Sequence, residues 1–326
     1  MSRRLSIIRA LIVFAFICAA SGCSSAASPT LVPHSGALGI QQMPESLGSW
    51  TTDAPMPTAR YALAAGVVNG VLYAVGGLGS HELSTVEAYV PATNSWKVRR
   101  SMPTARDSLA AAVVNKVLYA VGGQHSFGFF SQDLEAYDSA TNTWSTRAPM
   151  PTGRYGLAAA VISGTLYAVG GYNGSPLNTL EAYNPVTNAW TAKAAMPTAR
   201  LYLAAAVVNG KLYAIGGSNA IIGLNNVEAY DPATNTWTAK SSMPTARGLI
   251  AAGVINGKIY VVDGSYNGRD WLNTVEAYDP ATNIWTKKAS DPKARGGPAA
   301  GVVNKKLYAV GGGYHPEFST NDAFSP

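Results

Sequence analysis

Cysteine is nearly absent from this chain. The 326 residues include two, Cys18 and Cys23, and both lie within the first 23 positions. Residues 24–326 therefore cannot form a disulfide bond of their own, and their fold must rest on packing, hydrogen bonds and ion pairs.

Charge is also sparse. Asp, Glu, Lys and Arg make up 13% of the residues, and the formal net charge is +6. Three of the 24 basic residues, Arg3, Arg4 and Arg9, lie in a segment that we expect to be removed, which leaves 21 basic against 18 acidic residues, or +3. Because this charge is small and no basic cluster stands out, we expect no nucleic-acid partner.

Recognisable catalytic motifs are missing as well. The sequence contains no nucleophile-elbow serine motif, no phosphate-binding loop and no HExxH zinc motif. We therefore expect no cofactor, and we favour a binding function over an enzymatic one without closing the enzymatic alternative.

The start of the chain has the order of an export signal. Three arginines precede the apolar run Ala10–Ala20, whose eleven residues fall well short of the ~20 needed to span a bilayer. Ala20-Ser21-Gly22-Cys23 then resembles a lipobox, in which a peptidase cuts before a cysteine that carries lipid, with Ala20 at the usual leucine position.

These features predict three segments. Residues 1–23 form a lipoprotein-type signal peptide with Cys23 as the lipidation site, residues 24–43 a flexible tether, and residues 44–326 a folded domain. The protein would then be exported and anchored in the cell envelope, facing the periplasm or the cell surface. The alternative is an ordinary secretory signal cut nearby, which would give a secreted protein.

The folded part repeats itself every 46 to 48 residues. Each unit contains a Pro-containing loop that ends in Arg, an Ala- and Gly-rich apolar stretch, a Tyr-containing stretch, a variable stretch, a Glu-x-Tyr segment and a Trp. The apolar stretches are short, and turn signals such as Asn209-Gly210 separate them, so each unit predicts four strands. The conserved spacing gives six arginines and six tryptophans: Arg60, Arg106, Arg154, Arg200, Arg247 and Arg295, with Trp50, Trp96, Trp144, Trp190, Trp237 and Trp285.

The last unit lacks its Trp strand, and the segment Leu47–Trp50 matches the missing piece. We therefore predict an all-β fold, a six-bladed β-propeller with four antiparallel strands per blade, whose last blade is closed by the N-terminal strand. The first strand of each unit should lie nearest the axis, where small side chains avoid collision.

The repeat resembles the kelch repeat in its paired glycines, the Tyr before them, the Glu-x-Tyr segment and the Trp, with Asp263-Gly264 as a departure from Gly-Gly. The resemblance implies a kelch-type β-propeller, a scaffold used by adhesion modules, protein-recruiting adaptors, copper oxidases and sugar epimerases. The copper-oxidase cofactor requires a Cys crosslinked to a Tyr, which residues 24–326 cannot provide.

All length variation falls between the second and third strands of each blade, where 10 to 12 residues separate the second Gly from the acid of the third strand. In an antiparallel meander these loops share one face with the loops that carry the arginines. Because recognition usually resides on loops held by a rigid scaffold, we predict the ligand site on this face.

The arginines of that face allow two interpretations. They form a cationic funnel for a carboxylate, a sulfate or an acidic peptide, or each one ties the loops of its blade to backbone carbonyls. Their sixfold repetition favours the structural interpretation, because a specific site is normally asymmetric.

Residues that break the symmetry are the other candidates for ligand binding. Tyr61, Asp107, Tyr155 and Tyr202 lie beside the arginines, and Glu82 lies in a variable loop. The aromatic candidates in the variable loops are Phe129, Tyr172, Tyr266, Trp271 and Tyr314. A zinc or copper site is a minor alternative that would need three histidines of these loops to converge: His81, His125 and His315.

The sequence as a whole favours an exported, membrane-tethered and monomeric module that binds a glycan or a protein, with an anionic ligand as one option. The alternative is a periplasmic sugar epimerase or mutarotase, similar to N-acetylneuraminate epimerase. In that case Arg60, Arg106, Arg154 and Arg200 would hold the sugar carboxylate, and Asp107, Glu82 or His125 would move a proton.

Overall fold

The computed structural model describes residues 46–125, 128–313 and 316–326. These residues form β-strands joined by loops, with one 3₁₀ turn among them at Pro91–Thr93. No helix of this described part is long and apolar enough to cross a membrane. The predicted signal peptide and tether, including Cys23, lie outside the described residues.

The strands follow the repeat of the sequence, with β1 (Ser49–Asp53) preceding the first complete blade. Blade 1 contains β2 (Ala64–Val68), β3 (Val71–Val75), β4 (Val86–Val90) and β5 (Ser95–Arg99). Blade 2 contains β6 (Ala110–Val114) and β7 (Val117–Val121), the small ribbon β8 (Gln124–His125) and β9 (Phe129–Phe130), and then β10 (Leu134–Asp138) and β11 (Thr143–Thr146). Blade 3 contains β12 (Ala158–Ile162), β13 (Thr165–Val169), β14 (Leu180–Asn184) and β15 (Ala189–Lys193).

The remaining blades repeat this order. Blade 4 contains β16 (Ala204–Val208), β17 (Lys211–Ile215), β18 (Val227–Asp231) and β19 (Thr236–Ala239). Blade 5 contains β20 (Ala251–Ile255), β21 (Lys258–Val262), β22 (Val275–Asp279) and β23 (Ile284–Lys287). Blade 6 contains β24 (Ala299–Val303), β25 (Lys306–Val310), β26 (Asn321–Ser325) and β1.

Within the described residues these strands form six four-stranded antiparallel sheets arranged as a β-propeller, as predicted. The first strands of neighbouring blades contact each other around the whole ring, from β2 through β24 and back to β2. The crowding there explains the small residues: a β-carbon added to Gly66 of β2 would lie 2.3 Å from Cδ1 of Leu118 in the next blade. Each interface between blades forms one part of the apolar core.

The N-terminal strand closes the ring, which confirms the prediction from the missing Trp strand. Strand β1 pairs with β26 in antiparallel register from Ser49 opposite Ser325 to Asp53 opposite Asn321. The indole of Trp50 lies 5.3 Å from the ring of Phe324, measured between centroids. Blade 6 therefore has four strands although the chain ends after three of them.

The six tryptophans join each blade to the one before it. Each indole Nε1–H donates to a carbonyl of the segment that leads in from the preceding blade, at 2.7 to 2.9 Å. In blade 4, for example, Trp237 donates to Ala194 and packs 5.3 Å from Tyr230. The amide of Asn235, whose φ is +54°, accepts from the Tyr230 hydroxyl and from the Ala194 N–H. These contacts hold the face opposite the variable loops.

Closure by β1 can be tested with Trp50→Ala against Trp237→Ala as a matched control. Each change removes one indole hydrogen bond and one aromatic contact, so each should lower the free energy of unfolding by about 2 to 3 kcal/mol. Only Trp50→Ala should accelerate amide hydrogen exchange in β26, because only that change loosens the strand that closes the ring. Equal exchange of β26 in both variants would contradict this role of β1.

Candidate functional site

The loops predicted to share one face lie together. Backbone pairing joins the loop before the first strand of a blade to the loop after its second strand, as between Asp107 and Gln124 in blade 2 and between Tyr155 and Tyr172 in blade 3. We call the surface made by these two sets of loops the loop face. It is the end of the propeller at which the length of the loops varies.

The six repeat arginines do not form the surface of the loop face. Each has a relative exposure of 0%, and each pairs with an acid of the third strand of its own blade. In blades 1 to 5 that acid is a glutamate, with nitrogen–oxygen distances of 2.7 to 3.1 Å. The threonine two residues before each of these arginines donates to the second oxygen of the same glutamate, at 2.7 to 2.9 Å.

Arg200 shows what such an arginine does. Its guanidinium donates to the carbonyl of Ala214 in β17 at 3.1 Å and to the carbonyl of Asn226 at 3.0 Å, and it pairs with Glu228 at 2.9 Å. One side chain thereby joins the loop before the first strand to the second strand and to the start of the third. Burial lowers the pKa of Arg200 to about 10, against the opposing charge of Glu228, so the group stays charged at neutral pH.

This placement removes the basis for the cationic funnel expected as one interpretation of the arginines. Guanidinium groups without exposed surface, already paired with carboxylates, present no accessible donor to a ligand that arrives from solvent. The same holds for the carboxylate clamp of the epimerase alternative, which relied on Arg60, Arg106, Arg154 and Arg200. The observed contacts are those of the structural interpretation.

Blade 6 departs from this pattern at several connected positions. Asp291 stands where the other units have Met, and Asp322 stands where they have Glu. Arg295 pairs with both, at 2.8 Å to Asp291 and more closely to Asp322. Asp263 replaces the first glycine of blade 5 and lies 3.5 Å from Nε of Arg295. In other blades the methionine at the position of Asp291 packs against the first glycine of the preceding blade. A β-carbon built on Gly76, for example, would lie 3.0 Å from Cε of Met102.

Asp263 and Asp291 stand at the glycine and methionine positions, so two acidic residues lie where the other blades have an apolar contact. Asp263 is fully buried, its φ is +63°, and its carboxyl oxygens have no hydrogen-bond partner of ordinary geometry among the described residues. Burial and the charge of Asp291 raise its pKa well above the usual range, although Arg295 and Arg247 oppose the shift. Folding therefore disfavours the charged form of Asp263.

A closed circle of backbone hydrogen bonds surrounds the propeller axis on the loop face. The residue two positions after each repeat arginine donates its N–H to the carbonyl of the equivalent residue in the preceding blade, at 2.6 to 3.0 Å. All six members have positive φ between 51° and 62°. The members are Ala62, Ser108, Gly156, Tyr202, Leu249 and Gly297. The residues of this circle line a small cavity together with apolar side chains such as Leu63 and Leu203.

An aromatic cleft of about 350 Å³ opens on the loop face above blades 3 to 5. Tyr155, Tyr172, Tyr202 and Tyr266 line it, with the exposed side chain of Ile221 beside them. The ring of Tyr155 lies 5.3 Å from that of Tyr172 and 6.0 Å from that of Tyr202. Burial raises the pKa of Tyr155 and of Tyr202, so both keep their hydroxyl protons at physiological pH.

A second cavity of about 530 Å³ lies above blades 1 and 2. Its lining includes Tyr61, His81, Glu82, Asp107 and Gln124. Ala62, Ser108, Tyr202 and Leu249 of the axial circle form its floor, and Tyr202 also lines the aromatic cleft. The loop face thus offers an aromatic half and an acidic half that meet at one tyrosine.

The structure brings only part of the predicted aromatic set together. Tyr172 and Tyr266 share the aromatic cleft, whereas Phe129 stands 65% exposed on the ribbon of blade 2 and stacks against His125. Trp271 covers the backbone of Gly296, where an added β-carbon would lie 2.2 Å from its ring, so its role there is local packing. Tyr314 lies outside the described residues.

The predicted histidine cluster is not seen among the described residues. His81 lines the acidic cavity, and its Nδ1 lies 3.0 Å from the Ser80 hydroxyl, while His125 packs on Phe129. No group of three His, Cys, Asp or Glu in the described ranges is placed to hold a metal. His315 lies outside those ranges.

Sequence reasoning missed Ile221 and the division of the loop face into two cavities. Ile221 and Ile222 are consecutive aliphatic residues in the variable loop of blade 4, and that signal marks a candidate contact surface. Asp291 also passed unnoticed, although it is the one non-methionine at its position in six units.

Comparisons with known proteins agree with the architecture. The family described as the KLHDC2/KLHL20/DRC7 Kelch-repeats domain matches residues 44–217 and 146–312. The solved structure titled "Structure of YjhT" is similar with a TM-score of 0.72 and 18% sequence identity, over 82% of this chain and 95% of that chain. At that identity the likeness shows the fold alone. No curated protein matches the chain.

The raised pKa of Asp263 predicts a free energy of unfolding that depends on pH. Because its pKa is raised in the folded state, its contribution is complete at low pH and is lost as the pH rises through the folded pKa. Each unit of pKa is worth about 1.4 kcal/mol, or a few degrees for a domain of this size. Asp263→Gly, which restores the glycine, should therefore show a smaller fall in Tm between pH 5 and pH 9 than the wild type.

Asp270→Asn is the control for this measurement, because Asp270 is an exposed acid of the same blade. It should follow the wild-type dependence of Tm on pH. Parallel curves for the wild type and Asp263→Gly would show that Asp263 is ionised in both folded and unfolded states.

Proposed function

The chain belongs to the kelch-repeat family of β-propellers, and on that basis we propose that it is a binding module whose loop face takes a protein partner. The single observation that carries the proposal is the aromatic cleft with its apolar rim. Four tyrosines line the cleft, and Ile221 beside it is 79% exposed. Recessed aromatic surface with neighbouring exposed aliphatic side chains is typical of the centre of a protein interface.

The rim favours a protein over a glycan. Ile221, Ile222 and Tyr266 are all exposed and lie on adjacent loops, and the N–H of Gly223 donates to the carbonyl of Tyr266. Aliphatic side chains offer no hydrogen bonds to sugar hydroxyls, whereas they match the apolar side chains of a peptide segment. The cleft of about 350 Å³ is large enough to receive one or two such side chains.

The charges of the loop face argue for a neutral or basic partner. The repeat arginines are buried in ion pairs, and the cavity beside the cleft is lined by Glu82 and Asp107. An acidic partner would meet like charge there, which makes a basic one more favourable. The anionic ligand considered from the sequence is therefore not part of this proposal.

The proposed setting is the cell envelope. The basic start, the short apolar run and the Ala-Ser-Gly-Cys segment support export and attachment of lipid at Cys23. Residues 24–43 would then hold the propeller away from the membrane as a flexible tether. In this proposal the propeller, whose ring β1 closes, acts as a monomer that binds its partner through the loop face.

The loop face can be tested against the opposite face with three variants. Ile221→Asp and Tyr266→Ala alter the rim of the cleft, while Val186→Asp introduces the same charge at a turn residue that is 90% exposed on the other face. Immobilised wild type and variants are exposed to cell-envelope extracts, and the retained proteins are identified by mass spectrometry. We expect proteins held by the wild type and Val186→Asp to be lost with both cleft variants.

The loss should be at least tenfold, because a truncated or charged residue at the centre of an interface costs about 2 kcal/mol or more. Retention by Ile221→Asp and Tyr266→Ala together with loss by Val186→Asp would place the interface on the opposite face. Retention of oligosaccharides with no protein would favour a glycan-binding function instead.

A further inference from the structure

Asp107 occupies a place that no other blade gives to an acid. The residue directly after the repeat arginine is Asp107 in blade 2, and in the other five blades it is Tyr61, Tyr155, Leu201, Gly248 and Gly296. The backbone there is fixed, because Asp107 and Gln124 exchange N–H to carbonyl hydrogen bonds at 3.1 and 2.9 Å. The carboxyl group is therefore held in the wall of the acidic cavity by the scaffold itself.

The carboxyl group of Asp107 is buried and incompletely paired. Asp107 is 3% exposed, and its Oδ2 accepts from the Ser108 hydroxyl at 2.8 Å. Among the described residues its Oδ1 has no hydrogen-bond partner of ordinary geometry, and the side chain of Gln124 is a neighbour that favours its charged form. The repeat glutamates, which are buried to the same degree, each pair with an arginine, whereas no ion pair is present for Asp107 among the described residues.

Such a group weakens the folded state unless something else binds it. An unpaired buried acceptor costs about 1 to 3 kcal/mol, and a charged one costs more. Burial is the main cause that raises the pKa of Asp107 to about 6; the Ser108 hydroxyl and the Gln124 side chain oppose the shift, and the charge of Glu82 adds to it. At pH 7.5 the group is still mostly ionised, so a buried negative charge faces a cavity of about 530 Å³.

We propose that this cavity is a binding site for a primary ammonium group, such as a lysine side chain or an amino terminus, with Asp107 as its counter-ion. The ammonium donates to the carboxylate of Asp107 where that residue lines the cavity, and Glu82 and Gln124 of the same lining offer acceptors to its remaining donors. The ring of Tyr61 in the wall adds the aromatic surface that organic cations prefer. The cavity is far larger than a single metal ion requires, which suits a cation carried on a chain.

The ammonium site in the acidic cavity does not require the aromatic cleft to bind a protein partner. The two cavities share Tyr202, so a segment with a basic residue next to an apolar one would occupy both. Binding of the ammonium group alone requires only the acidic cavity, and its test is separate from the capture of a partner.

The probe is Nα-acetyl-lysine methylamide, and its neutral counterpart is Nα-acetyl-norleucine methylamide, which has the same chain without the amine. Isothermal titration calorimetry of the full-length protein at pH 7.5 should show binding of the lysine compound and none of the norleucine compound. Asp107→Asn, which keeps the shape and removes the charge, should weaken binding at least tenfold. Glu82→Gln, at the partly exposed edge of the cavity, should weaken it about two- to fivefold.

Two controls separate this site from general charge and from the cleft. Asp270→Asn removes an exposed acid outside the cavity, and Tyr266→Ala alters the cleft; both should bind the lysine compound as the wild type does. Lowering the pH from 7.5 to 5 should weaken wild-type binding about tenfold, because Asp107 becomes protonated around pH 6. That dependence should be several-fold smaller in Asp107→Asn, in which His81 and Glu82 remain in the lining.

The outcomes that overturn the proposal are specific. They are equal binding of the lysine and norleucine compounds, no binding of either to the wild type, or full binding by Asp107→Asn with a folded circular dichroism spectrum. Loss with Tyr266→Ala and not with Asp107→Asn would also overturn it, since it would assign the cation to the cleft. If Asp107→Asn fails to fold, unchanged binding by Glu82→Gln together with no pH dependence in the wild type overturns it equally.

Discussion

The loop face depends on one interaction, the buried ion pair between a loop arginine and an acid of the third strand. In blade 4 the pair of Arg200 and Glu228 joins the loop before the first strand to the carbonyls of the second strand and of the segment entering the third. Removing one partner of such a pair leaves a buried charge without compensation, at a cost of about 3 to 5 kcal/mol. Because the pair recurs in every blade, the loops of the loop face start from fixed points all around the axis, and the circle of backbone hydrogen bonds joins them.

In this arrangement, one set of residues holds the blades together and a different set forms the exposed surface of the loop face. The residues that repeat hold the blades together. The arginines form buried ion pairs, and the tryptophans contact the preceding blade. What remains exposed on the loop face is what differs between blades, such as Ile221 and Tyr266 on one side and the acidic cavity around Asp107 on the other. At the interface of blades 5 and 6, Asp263 and Asp291 stand at the two positions that form a glycine–methionine contact elsewhere, and both are buried beside Arg295.

Periodicity alone was enough to predict the blades, because a repeat of 46 to 48 residues with four short strands has few other ways to bury its faces. It also predicted the pairing of β1 with β26, since Trp50 carries the side chain that blade 6 lacks. The role of the arginines stayed open, because the sequence does not say whether Arg200 turns toward solvent or toward Glu228. Similarly, Tyr172 and Trp271 are both aromatic residues of variable loops, and the sequence does not distinguish them. In the structure Tyr172 lines the cleft, whereas Trp271 covers Gly296.

The central claim is that the repeat arginines build the loop face and do not contact its ligand. A double-mutant cycle with Arg200→Met and Glu228→Leu tests it, with urea unfolding and binding of the lysine compound measured on each variant. We expect each single change to cost several kcal/mol, the double change to recover most of that loss, and the affinity of every folded variant to stay within about twofold of the wild type. An Arg200→Met protein that keeps its stability and loses its ligand would show that the arginine is a binding residue and would contradict the account.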